Sequence, residues 1–482
     1  MAPRQTLTAD SLAALGPERL AAILLELADA NPEVRRRLRL ELAAQAGGDA
    51  IAAQIGKRLT TLRNARSFID WQKRRDFVQD LDLQRTMIVE RLAPSRPDLA
   101  LDLMWRFMDL AAPVLNRVDD SSGSVGEVFR AACADLAAIA AKARPDPVAL
   151  ADQVFASVSA NGYGVFDGMV TAIVPALGAT GIAHLKQRLA QALADRGHKP
   201  GERDWDALVL RLALQQLADG EGDVDAYIAL VPLEQRDLPR TGAEIGRRLL
   251  AAGRAREALA ALERARPKPR GRSISRDDEE LHLAGIGLGG DSEWEETYIA
   301  ALDATGQQEQ AQKLRWAAFE ERLSAERLRA FLDRLPDFDD VEAEERAMQY
   351  ALGFKSFAMA LDFLYRWPAP ARAAQLVLTR ASEIDGNLYY LLDPAAQTIE
   401  GKSPLAATLL RRAMIEDTLD GAKSTRYKHA ARHLLECLAL APSIQDYGTF
   451  ETHDAFVARL RARHGRKVGF WTQANEASES RR

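Results

Sequence analysis

The 482-residue chain sets 64 lysines and arginines against 69 acidic residues, a net charge of −5. That balance excludes a dedicated nucleic-acid coat and an acidic tail, though it leaves local patches open. Hydrophobic residues make up 47% and aromatics only 6%, with helix formers throughout, which is an all-α composition; the length exceeds one compact core and suits an extended solenoid.

Residues 10–45 place Leu12, Leu15, Leu20, Ile23, Leu24 and Leu27 ahead of Asn31-Pro32, then Leu38 and Leu40 after it. Proline suits the first turn of a helix, so residues 1–47 read as an N-terminal helical hairpin. The glycines at 47 and 48 separate it from a helical-repeat region over 48–265. Within that region, Ser124-Val125-Gly126-Glu127 predicts a capping box, and Asp146-Pro147 a capped helix start. Turns are expected at 161–164, 178–181 and 197–201, where glycines cluster. Residues 266–278, RPKPRGRSISRDD, read as an exposed basic loop or linker and as the main boundary.

A second helical-repeat region is expected over 279–471. Ser292-Glu293-Trp294-Glu295 predicts a further capping box, and Ser403-Pro404 another helix start. Phe354, Phe357, Leu361, Leu364 and Tyr365 form a stripe at helical spacing that reads as core. The last strong helix is expected over 424–440 and a shorter amphipathic one over 456–464, and the polar residues 472–482 read as a disordered tail.

One spacing recurs along the chain. Gly253, Gly306 and Gly353 are each followed five residues later by an alanine, Ala258, Ala311 and Ala358. A glycine ends one helix in the left-handed conformation, and a small residue lets the next helix pack closely. The intervals of 53 and 47 residues exceed the roughly 34 of a regular tetratricopeptide array, so the repeat is degenerate. The expected fold is all-α, an irregular α-solenoid of tetratricopeptide-like hairpins.

Signals for chemistry are sparse. Cys133 and Cys437 are the only cysteines and lie in apolar helical patterns, which excludes a cysteine-based zinc cluster and suits a reducing compartment. With no leader-like N-terminus and no apolar run approaching about 18 residues, a cytoplasmic location without a membrane is expected. Gly285, Gly287 and Gly290 match the dinucleotide fingerprint in spacing, but a helical segment precedes them where a strand is required. Asp119, Asp120 and Ser122 fail the calcium-loop spacing at Ser124 and Arg130. His429, His433 and Glu436 share a helical face and could present three ligands to one metal. Arg426, Lys428 and Arg432 beside them oppose a cation, so a solvated or partner-facing polar helix is expected instead. No catalytic, cofactor or metal-binding residue is assigned.

Two basic clusters remain, at 266–276 and 459–467, the second followed by Phe470-Trp471. Cations beside aromatics suit phosphates and bases. The candidate contacts with a partner or nucleic acid are Arg270, Arg272, Arg276, Arg426, Lys428, His429, Arg432, His433, Arg463, Arg466 and Lys467.

The segment Arg66-Ser67-Phe68-Ile69-Asp70-Trp71, the aspartate-serine loop at 119–123 and Arg144-Pro145-Asp146-Pro147 resemble the helical region that follows the zinc finger in bacterial SWIM zinc-finger proteins. Residues 60–195 carry that likeness; the finger itself needs clustered cysteines that this chain lacks. From Leu314-Arg315-Trp316 through Arg366-Trp367-Pro368 to the segment at 427–434, YKHAARHL, the chain looks like an uncharacterised family of proteobacterial helical-repeat proteins. The resemblance implies an α-solenoid and transfers no activity.

These readings lead to a non-enzymatic scaffold or adaptor with an unidentified protein partner, needing no cofactor. The alternative is a nucleic-acid-associated accessory protein using the two basic clusters.

Overall fold

A computed structural model of the chain describes residues 7–196, 204–268 and 290–479. Among the described residues the fold is all-helical, and the one extended pairing is an isolated parallel bridge between Ile69 and Val118. Contacts divide the chain into two units, Met1–Pro232 and Leu233–Arg482.

The first unit opens with the expected hairpin, Pro17–Ala30 and Pro32–Ala46. The Asn31 side chain accepts the Glu33 amide at 2.8 Å and so starts the second helix. Gly48–Asn64 buries Ile51, Ile55, Leu59 and Leu62, a single stripe at helical spacing. That core continues through Phe107 and Phe129, whose ring centroids lie 5.3 Å apart.

Ser124–Ala143 begins differently from the expected capping box. Asp120, not Ser124, accepts the Val125 and Gly126 amides, each at 2.9 Å, while Glu127 turns to Arg130 at 2.7 Å. A carboxylate in the preceding loop reaches the helix end first, and Glu127 finds a cation one turn on. Asp146 does cap Pro147–Ser159, accepting the Ala149 amide at 2.8 Å.

Met169–Asp195 is the one segment among the described residues with the length and composition of a membrane span. It is two helices in sequence, because Gly178 adopts φ 59° and ψ 177° and breaks the ladder of backbone hydrogen bonds. The turn expected at 197–201 lies outside the described residues.

In the second unit, Pro239–Ala251 and Ala255–Arg264 pack with Gly290–Ala304. Trp294 Nε1 donates to the Leu262 carbonyl at 2.9 Å, and Arg266 Nη2 to the Tyr298 hydroxyl at 2.8 Å. Residues 269–278 of the expected basic loop lie outside the described residues; residues 266–268 fall in the second unit, which begins at Leu233. Gly290–Ala304 is already under way at Ser292, so that serine is not its cap.

Gly253 and Gly306 take φ 73° and 80° as expected of helix-ending glycines, whereas Gly353 has φ −89°. All three following alanines are buried. The Phe354, Phe357, Leu361 and Leu364 stripe is buried core, and Tyr365 is half-buried. A smaller core around Leu419, Leu434, Phe456, Leu460 and Phe470 unites the last four helices, Pro404–Asp420, Tyr427–Leu440, His453–His464 and Val468–Glu479. The expected tail is thus helical as far as Glu479, because Phe470 is buried and Trp471 Nε1 donates to the His464 carbonyl at 3.0 Å.

Candidate functional site

The densest polar constellation lies in the second unit, where three helices meet. Tyr389–Ile399 supplies Asp393, and Glu400 follows at its end. Pro404–Asp420 supplies Arg411; Tyr427–Leu440 supplies Arg432, His433 and Glu436, which share a face because they are three and four residues apart. Ser403 starts the middle helix by accepting the Ala406 amide at 3.3 Å.

Arg411 is buried and forks between two carboxylates, Nε to Glu436 Oε2 at 2.9 Å and Nη2 to Glu400 Oε2 at 2.7 Å. Arg432 bonds Asp393 Oδ2 at 2.9 Å and approaches Glu436 Oε1 at 3.5 Å. His433, 4% exposed, places Nδ1 3.1 Å from Glu436 Oε2 and 3.9 Å from Asp393 Oδ1. Burial holds the His433 pKa below its ordinary 6.5, against the opposing pull of Glu436 and Asp393. A carboxylate can only accept, so the 3.1 Å contact places Nδ1 as the donor to Glu436.

Donor atoms of Asp393, His433 and Glu436 lie within 4.8 Å of one another, a set able to hold a divalent cation. Glu436 Oε2 and Asp393 Oδ2 already accept from Arg411 and Arg432, however, so a metal would sit between two guanidinium groups. The arrangement is better suited to joining three helices than to metal chemistry. Of the expected histidine pair, His433 and Glu436 come together, while His429 is exposed and outside the cluster. Asp393, Glu400 and Arg411 were not singled out in the sequence. The available signal was the adjacent Arg411-Arg412 pair set between the apolar runs Leu409-Leu410 and Ala413-Met414-Ile415.

The other candidate residues divide into two groups. Arg426 lies over the Tyr389 ring at 4.5 Å, and Lys428 is exposed. In the C-terminal cluster, Arg459 contacts Glu416 at 2.5 Å and Glu451 at 2.9 Å, while Arg463 and His464 approach Asp420 at 3.1 and 3.0 Å. Arg461 lies over Trp471 at 5.1 Å. Arg466 is exposed and Lys467 half-buried. Several of these cations thus neutralise the protein's own acids. Arg270, Arg272 and Arg276, with Gly285 and Gly287, lie outside the described residues.

Helical hairpins knitted by arginine–carboxylate clusters define an all-α protein whose polar centres join its elements. Its family follows from the match of residues 2–473 to DUF6880, a family of unknown function, and the chain belongs to that family. No curated protein and no solved structure matches it.

Proposed function

We propose that the protein is a non-enzymatic scaffold, its hairpins stacked as an irregular, tetratricopeptide-like solenoid that engages a protein partner. The likeness of residues 60–195 to the helical region of SWIM zinc-finger proteins is in keeping with an accessory role. The observation that carries the reading is the set of exposed leucines on the two helices of the N-terminal hairpin. Leu25 is 66% and Leu42 65% exposed, with Leu24 and Leu27 beside them also exposed. Several large apolar side chains left in water on one hairpin favour a protein contact there. The nucleic-acid alternative has weaker support, because Arg459 and Arg463 are committed to Glu416, Glu451 and Asp420.

Affinity purification from the native organism after nuclease treatment tests this. A stoichiometric protein partner is expected with the wild-type chain and not with a Leu25→Glu/Leu42→Glu variant of unchanged helical content. Recovery of nucleic acid alone, or equal recovery by the variant, overturns it.

A further inference from the structure

Between Gly48–Asn64 and Trp71–Met87 in the first unit, a short extended segment is pinned in place. The Ile69 amide donates to the Arg117 carbonyl at 2.9 Å, and the Ile69 carbonyl accepts from the Asp119 amide at 3.0 Å. Arg117 Nη1 donates to the Ser67 carbonyl at 3.2 Å, and Asp70 caps the next helix by accepting the Gln72 and Lys73 amides at 3.0 and 3.1 Å. Ile69 is half-buried by this arrangement, whereas Phe68 and Trp71 on either side of it are each 66% exposed. Among the described residues neither ring has an aromatic or cationic partner.

The same stretch is rich in cations. Residues 63–76 carry Arg63, Arg66, Lys73, Arg74 and Arg75 against Asp70 and Asp76, in a chain whose net charge is −5. Arg74 Nη1 donates to the Asp119 carbonyl at 2.9 Å and to the Ser121 hydroxyl at 3.2 Å. Arg63, Arg66, Lys73 and Arg75 are exposed and, among the described residues, hold no carboxylate. That sets them apart from the C-terminal cluster, where Arg459 and Arg463 neutralise Glu416, Glu451 and Asp420.

Chain geometry keeps these groups together. Three residues of extended chain separate Phe68 from Trp71 by at most about 11 Å, and Arg75 lies one turn beyond Trp71 on the same helical face. Asp76 stands about 140° around that helix from Trp71, and Asp70 is turned into the cap. Aromatic faces left in water beside unpaired cations suit a single strand of nucleic acid, whose bases stack on the rings while its phosphates meet the cations. The flat rings favour planar bases over the scattered carboxylates of an acidic protein segment, and the pinned backbone lowers the cost of ordering the site. We propose that Phe68 and Trp71 stack bases of a single-stranded nucleic acid, with Arg63, Arg66, Lys73 and Arg75 on its phosphates, a contact beyond the protein partner proposed above.

Fluorescence anisotropy of the full chain with a labelled oligothymidylate of about 15 nucleotides tests the patch. At low salt a Kd below about 10 μM is expected, with a duplex of the same length at least about fivefold weaker because its bases are closed to the rings. Phe68→Ala and Trp71→Ala should each weaken the strand at least about fivefold. Arg66→Gln/Arg75→Gln should reduce the slope of log affinity against log salt by about 1.4. All four residues are exposed, so unchanged helical content is expected of every variant, and the comparison of strand with duplex on the wild-type chain needs no variant. No binding of the strand up to about 100 μM, equal affinity for the duplex, or unweakened binding by Phe68→Ala and Trp71→Ala overturns the assignment. So does Trp71-dependent binding to phosphatidylserine vesicles in place of the strand, which would mark a membrane contact.

Discussion

Arg411 donates Nε to Glu436 Oε2 at 2.9 Å, and the two differ sharply in burial: the arginine side chain is 3% exposed, the glutamate 25%. The pair ties Pro404–Asp420 to Tyr427–Leu440, and its asymmetry fixes which partner the protein can lose. Glu436→Ala leaves a buried guanidinium with Glu400 as its one remaining carboxylate and Nη1 already without a hydrogen bond. Breaking a buried pair from that side should cost about 3–5 kcal/mol. Arg411→Met removes the buried charge itself, and Glu400 and Glu436 retain water, His433 or Arg432, so roughly 1–2 kcal/mol is expected. Urea unfolding of both variants decides it; the reverse order sinks the account.

His433 makes stability fall in mild acid. Because burial lowers its pKa in the fold, the unfolded chain binds more protons between the two values. Its contribution is complete above the unfolded value of about 6.5 and is lost as pH falls from there through the folded value. His453 is shifted in the same direction, by burial and then by Arg412. A His433→Gln variant should show a shallower loss of unfolding midpoint below pH 6.5 than wild type. An unchanged slope would mean that the ring is already protonated in the fold.

Neither cysteine should react in the native protein. Burial pushes both thiols up to about 12, and Cys133 and Cys437 sit 4% and 0% exposed. Iodoacetamide near neutral pH should therefore leave intact chains unlabelled and modify two positions once urea unfolds them. Rapid labelling of the native protein at either site would show that the surrounding core opens readily.

Features set within one helical turn were legible in the sequence. Asp146 and Ser403 cap helices where expected, and Asn31 caps the helix that Pro32 was expected to open, because a cap involves only the next two or three residues. Ser124 misled because Asp120, four residues upstream, competes for the same amides. Helical spacing likewise brought His433 and Glu436 together but could not supply Asp393, which arrives from another helix, and it put exposed His429 on the same face. The surroundings of Arg412 were illegible for the same reason: the Glu451 carbonyl that accepts from its Nη1 and the Phe456 ring beside it both come from outside its own helix. The polar tail was misread because Phe470 and Ala474 are enough to dock its helix.

The recurrent glycine–alanine spacing gives the sharpest test of that reading. Gly253 and Gly306 have φ 73° and 80°, and each lets the following amide reach back five residues, Arg254 to Leu249 and Gln307 to Leu302, both at 2.8 Å. A methyl group at either position meets nothing within 4 Å, so the penalty for alanine is purely conformational. Gly253→Ala and Gly306→Ala should each cost about 1–2 kcal/mol. Gly353 shares the sequence pattern but has φ −89°, and its methyl would stand 3.7 Å from the Tyr350 carbonyl, an ordinary contact. Gly353→Ala should then be neutral or stabilise by up to about 1 kcal/mol, by restricting the unfolded chain. Urea midpoints for the three variants separate the conformational requirement from the spacing. Equal losses at all three would show that Gly353 also needs the left-handed region, contrary to its backbone geometry here.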